Sequence, residues 1–255
     1  MTIKTQEELE GIKAISSVVA VALREMKNYV KPGMSAHDLD EYGNSILEKY
    51  GAKSAPKLTY NFPGWTCICV NNEAAHGIPH KTKIFSEGDL INIDVSAELN
   101  GFWADNGGSF VLGNDLFKHQ PLVDVSKKAL LKAIKNIKAG VKISDIGKII
   151  QLEAKKNGYT VIKDLVGHGV GRSLHEAPHE IPNFRDRFNF NKFKLNSVIA
   201  VETFISTKSN LTKKLADGWT LVGNIGGFVA QHEHTLMVTN GEPVIFTLEN
   251  EIHTY

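Results

Sequence analysis

The sequence predicts an α+β fold in which helices cover one face of a mainly antiparallel sheet, laid down twice as two pseudo-symmetric halves. Three observations carry that reading. KPGMSAHDLDEYGNSILEKYG (31–51) aligns without gaps on KAGVKISDIGKIIQLEAKKNG (138–158) at an offset of 107 residues, with Lys-x-Gly, an Asp and the terminal Gly matched. FSEGDLINID (85–94) aligns on FKLNSVIAVE (193–202) at an offset of 108, which sets Asp94 opposite Glu202. Apolar periodicity gives each half the order helix, helix, strands, so one domain over 1–255 is expected, with halves of approximately 5–112 and 113–245.

Taken in order, Thr5 to Glu8 reads as a capping box, after which Leu9, Ile12, Val19, Leu23 and Met26 recur at helical spacing. Lys31-Pro32-Gly33 stops that helix, and a second spans about Asp38 to Tyr50. In LINIDVS (90–96), Ile91, Ile93 and Val95 alternate with Asn92, Asp94 and Ser96, so Asp94 lies on the polar face of a strand. Asn100-Gly101 is a strong two-residue hairpin signal; it pairs residue i with 201 − i and sets Asp105 opposite Ser96. Asp94 and Asp105 then become diagonal neighbours on one face, about 7–8 Å apart. Later, SVIAVETFI (197–205) and FVAQHEHTLMV (228–238) read as strands carrying Glu202 and Glu233. A reversal near Asp217-Gly218 makes them antiparallel neighbours, although the connection is too long for one hairpin and leaves the register open.

Composition narrows the function. At 255 residues the chain is near the upper limit for a single core, and 29 Lys plus Arg against 28 Asp plus Glu argue against a nucleic-acid or anionic-membrane partner. Cys67 and Cys69, the only two cysteines, stand one residue apart on one face of a strand and should be free thiols. With a polar start and no run of membrane-spanning length, they point to a reducing, cytoplasmic setting without export.

A lone acid in an apolar strand is ordinarily the partner of a Lys or Arg. Here Asp94, Asp105, Glu202 and Glu233 are brought together from both halves, and the strand cores around Asp94, Glu202 and Glu233 contain neither Lys nor Arg. Buried acids in this number must be protonated, paired or bound to cations. His168 in VGHGVG (166–171) supplies a fifth group, its flanking glycines letting the backbone pass close to a ligand. Four carboxylates and an imidazole suit manganese, iron or cobalt better than a closed structural zinc site. A carboxylate-bridged pair of such ions acidifies water and polarises a carbonyl, so metal-assisted hydrolysis is the predicted chemistry.

NNEAAHGIP (71–79), LINIDVSAELNGFWAD (90–105), GHGVGRSLHE (167–176), VETFIS (201–206) and AQHEHTLMV (230–238), in this order over nearly the whole chain, resemble the methionine aminopeptidases of the pita-bread fold. The absence of a long insertion between His175 and Glu202, and of an N-terminal zinc-binding extension, matches the shorter type I class. The resemblance implies two divalent ions per chain, one chelated by Asp94, the other held mainly by His168 and Glu202, with Asp105 and Glu233 bridging. It implies Glu202 as proton acceptor for the nucleophile, His76 and His175 against the scissile peptide, and Phe62, Cys67 and Trp219 around the methionine side chain. The substrate is then a peptide or nascent chain beginning with Met and a small second residue, met by a monomer with or without ribosome association. His76 and His175 could otherwise merely cap loops, and the three pocket residues could be ordinary core. An X-Pro dipeptidase or aminopeptidase, or a non-catalytic peptide-binding relative, is the alternative; the former usually carries a sizeable N-terminal domain and the latter usually loses ligands. Thr203, Asn106-Gly107-Gly108 and Leu174 depart from the usual type I pattern and bear on pocket shape and the stiffness of one bridge.

Overall fold

A computed structural model describes residues 1–251. Thr5 caps α1 (Gln6–Tyr29) by accepting the Glu8 N–H, while the Glu8 carboxylate reaches back to the Lys4 N–H. Ser35 caps α2 (Ala36–Lys49) in the same manner through Asp38. The first half continues with β1 (Lys53–Ser54), α3 (Ala55–Tyr60), β2 (Cys67–Val70), β3 (Glu73–Ala75), β4 (Leu90–Leu99) and β5 (Phe102–Val111). The second supplies α4 (Gln120–Ile134), α5 (Ile143–Lys156), β6 (Thr160–Val161), β7 (Gly167–Gly169), β8 (Glu176–Ile181) and β9 (Val198–Ser206). It closes with β10 (Thr212–Lys214), β11 (Leu221–Gly223), β12 (Val229–Met237), β13 (Val244–Ile245) and a 3-10 turn, Leu248–Asn250. The second helices of the two halves begin and end 107 residues apart, the offset at which their sequences align.

The large sheet runs β1-β4-β5-β12-β9-β7-β8, with β2 on β4, β6 on β9 and β13 on β12, all pairings antiparallel. Alternation in the strands decides which face is dry. Ile91, Ile93 and Val95 of β4 pack with Ile12, Ile15 and Val19 of α1, and Ile199, Val201 and Ile205 of β9 pack with Leu130 and Ala133 of α4. These side chains are essentially inaccessible, and full burial of each larger one contributes about 1.5–3 kcal/mol. The opposite face keeps Asn92, Asp94, Ser96, Asp105, Gln231 and Glu233.

The β4–β5 hairpin has the predicted register, Ser96 facing Asp105 and Asp94 facing Gly107, around Asn100 and Gly101, both at positive φ as a two-residue turn requires. β9 and β12 are antiparallel neighbours as expected. The long segment between them makes a β10–β11 hairpin that turns at Gly218 and adds to β3 as a separate three-stranded sheet. Cys67 and Cys69 are free and buried. No helix among the described residues is long and apolar enough to cross a membrane.

Candidate active site

Pairing of β12 with β9 puts Glu233 directly opposite Glu202, and pairing of β7 with β9 puts His168 opposite Ala200, one same-face step from Glu202. β2 brings Cys67 opposite Asp94. All five candidate ligands therefore project from one face into a cavity of about 420 Å³, which His76, His175, Phe62, Cys67, Leu174 and Trp219 also line. Asp105, His168 and Glu233 each offer a ligand atom within 4.8 Å of the others, with His168 Nε2 at 3.8 Å from Asp105 Oδ2.

Electrostatics give this cluster its meaning. Burial pushes the Asp94 carboxyl up to about 6. Burial, then the charge of neighbouring acids, holds Asp105, Glu202 and Glu233 well above their ordinary values. None of the ion pairs of the described residues sets a Lys or Arg against these acids. Asp105 Oδ1 and Glu233 Oε1 are buried without a hydrogen-bond partner, a costly state that a bound cation would relieve. Burial also pushes His168 down to about 3, and its Nδ1 lies 3.0 Å from the Gly169 carbonyl. A neutral ring donating from Nδ1 turns the Nε2 lone pair toward Asp105, the form a metal needs. The donor set and its orphaned oxygens fit divalent ions.

The glycines beside His168 also meet a packing demand. A Cβ on Gly167 would lie 2.6 Å from the Ala200 carbonyl oxygen and one on Gly169 2.4 Å from that of Ala177. They let β7 approach β9 and β8 closely.

Two imidazoles stand at the cavity mouth. His76 sits at φ 53°, followed by Gly77, whose N–H donates to Cys69 Sγ and whose missing Cβ clears the Ile68 carbonyl. Desolvation in the cleft, then the neighbouring His175, keeps His76 below its usual pKa. His175 is held low by burial and His179, and its ring lies 4.0 Å from that of His168. The apolar wall is an edge-on contact of Phe62 and Trp219, centroids 5.2 Å apart, packed with Cys67 and Ile78. Asp40 fixes this wall by accepting from Trp65 N–H, Thr66 N–H and Thr66 Oγ1.

Three contributors escaped sequence reading. Gln231 Nε2 donates to Glu233 Oε2 at 3.0 Å while its Oε1 accepts from Asn92 Nδ2 at 2.8 Å. Tyr60 Oη lies 2.7 Å from His175 Nδ1. Alternation in AQHEHTL and LINID places Gln231 and Asn92 two residues from ligands on the same face, a usable signal; the lone Tyr60 in a short helix offers none.

Acids left without basic partners in a cleft open to a substrate define a class, the metal-dependent hydrolases. More particularly, the profile of metallopeptidase family M24 matches residues 10–240, and the chain belongs to that family. Methionine aminopeptidase 2 of Bacillus subtilis is 48% identical over 247 residues, spanning 97% of this chain and 99% of its own. The crystal structure of a Thermotoga maritima methionine aminopeptidase superposes with a TM-score of 0.92 at 37% identity, covering 97% and 99% of the two chains. A Pyrococcus furiosus prolidase, at 21% identity and a TM-score of 0.75 over 96% of this chain and 65% of its own, shares the fold alone.

Proposed function

We propose that this chain is a metalloaminopeptidase that removes the N-terminal methionine from peptides and nascent proteins with a small second residue, acting as a cytoplasmic monomer. The observation that carries it is the convergence of four carboxyls, none set against a Lys or Arg and two of them with a buried oxygen left unbonded, and a neutral imidazole beneath an apolar wall. Asp94, Asp105, His168, Glu202 and Glu233 would hold two divalent ions of the cobalt, manganese or iron kind. When bound, such ions supply an acidified water and polarise the first peptide carbonyl. Glu202 accepts the proton that the attacking water loses. His76 and His175 donate hydrogen bonds to the scissile peptide as charge grows on its oxygen, preorganised at the cavity mouth rather than recruited from solvent. Phe62, Cys67 and Trp219 enclose the methionine side chain, whose thioether suits aromatic edges. The one-domain organisation with halves of approximately 5–112 and 113–245 is part of the same reading, supported by the matched second helices.

Purified protein loaded with manganese or cobalt is expected to release free methionine from Met-Ala-Ser. Turnover of Ala-Pro with Met-Ala-Ser left intact would instead establish a prolidase-type specificity, and no turnover of either despite bound metal would leave a peptide-binding relative.

A further inference from the structure

The proposal that His175 stabilises the tetrahedral intermediate needs a proton on the ring nitrogen that meets the substrate, and an imidazole in a cleft does not choose its tautomer unaided. In this chain the choice has a visible agent. Tyr60 is the last residue of α3, a short helix capped at its start by Ser54, whose Oγ accepts the Lys57 N–H and donates to the Trp65 carbonyl. Asn61, at φ 55°, ends it and returns its N–H to Lys57. The turn thus presents the phenol at the cavity rim, where Tyr60 Oη meets His175 Nδ1 at 2.7 Å with the rings tilted at 5.9 Å between centroids.

We propose that Tyr60 is a positioning residue that fixes the tautomer of His175, its O–H donating to Nδ1 and so keeping the proton on Nε2, the ring nitrogen left to meet a substrate in the cavity that His175 lines. A phenol is a stronger hydrogen-bond donor than acceptor, and His175 Nδ1, at 2.7 Å, is the partner it reaches here. With Nδ1 occupied, Nε2–H is the donor left for the developing oxyanion. Without the phenol, both tautomers compete, and the one bearing its proton on Nδ1 presents a lone pair to the oxyanion and repels it. This inference rests on the proposed role of His175.

Tyr60→Phe removes the hydroxyl from a side chain that is 48% exposed, so folding, checked by circular dichroism, is expected to survive. In histidine-labelled protein, the 15N resonances of His175 are expected at opposite ends of their range in the wild type, Nδ1 pyridine-like and Nε2 pyrrole-like. In Tyr60→Phe they should draw together as the tautomers mix, with kcat on Met-Ala-Ser lowered about tenfold and KM little changed. Retention of the Nε2–H signature in the variant, or a rise in KM at constant kcat, overturns the assignment. His175→Ala separates the two levels: full kcat there overturns the role of His175 and this inference with it. An inactive His175→Ala beside an unaltered Tyr60→Phe overturns the tautomer assignment alone.

Discussion

Gly107 and Gln231 share one space: a Cβ on Gly107 would lie 2.4 Å from Gln231 Oε1 and 2.6 Å from Nε2. The amide that occupies that space braces Glu233 on one side and is braced by Asn92 on the other. The Asn-Gly-Gly stretch is therefore tied down, and Asn106 adds bonds from Nδ2 to the Val19 and Val95 carbonyls and accepts from Asn250 at Oδ1. Gly107→Ala should displace Gln231 and release Glu233. We expect about 1–2 kcal/mol of lost stability and roughly tenfold weaker manganese binding, read by thermal unfolding and calorimetric titration. Wild-type metal affinity in this variant would mean that Gln231 does not orient Glu233.

The contrast between that clamp and the hairpin shows what the chain makes legible. Asn100-Gly101 specifies a turn with a fixed twist, and from it alone the register of twenty residues and the neighbourhood of Asp94 and Asp105 follow. Gln231 reaches Gly107 across β12 and β5, which meet at the pair His232 and Gly108 and are joined by no turn, so nothing local records their register. The acids were visible because a charge inside an apolar strand contradicts its surroundings. Tyr60 contradicts nothing: an aromatic at the end of a short helix is unremarkable until His175, 115 residues away, is folded against it.

The direct opposition of Glu202 and Glu233 predicts a pH dependence of stability that changes sign with metal. Burial raises the folded-state pKa of these acids above their ordinary 4.5, and that of Asp94 from 3.8 to about 6. A raised acid favours the fold below its unfolded pKa and loses that contribution as pH rises through the folded value. Metal-free protein should accordingly lose thermal stability as pH climbs through about 6, whereas saturating manganese, which requires the deprotonated ligands, should stabilise it increasingly over the same range. Glu233→Gln should raise the midpoint of the metal-free protein at pH 8 and abolish the gain on adding manganese. A metal-free midpoint that rises steadily from pH 5 to 8 would contradict this.

Thr203 stands beside Glu202 but points to the helix side. Its Oγ1 lies 2.9 Å from Ser126 Oγ, which also bonds to the Ala230 carbonyl and to His232 Nδ1, tying α4 to β9 and β12. Thr203→Val keeps the shape and removes one partner from a fully buried network. The expected cost is about 1–3 kcal/mol in denaturant unfolding, with kcat on Met-Ala-Ser unchanged. A large fall in kcat at undiminished stability would place Thr203 in the chemistry instead.

The helix layer has its own pH-dependent tie. Glu153 of α5, 2% exposed, accepts from Lys132 Nζ at 2.8 Å and Lys128 Nζ at 3.2 Å, both on α4. The Lys132 hydrogen bond, outweighing burial, lowers its pKa from 4.5 to about 2. A depressed acid contributes stability that is present above its unfolded pKa and lost as pH falls through the folded one. Because the lysines are more than half exposed, solvent screening discounts the pair to about 1–2 kcal/mol. Glu153→Gln should therefore be less stable than wild type by that amount in urea at pH 7, with the gap closing between pH 4.5 and 2 and narrowing with added salt. A gap that persisted unchanged at pH 2.5 would assign the loss to packing rather than charge.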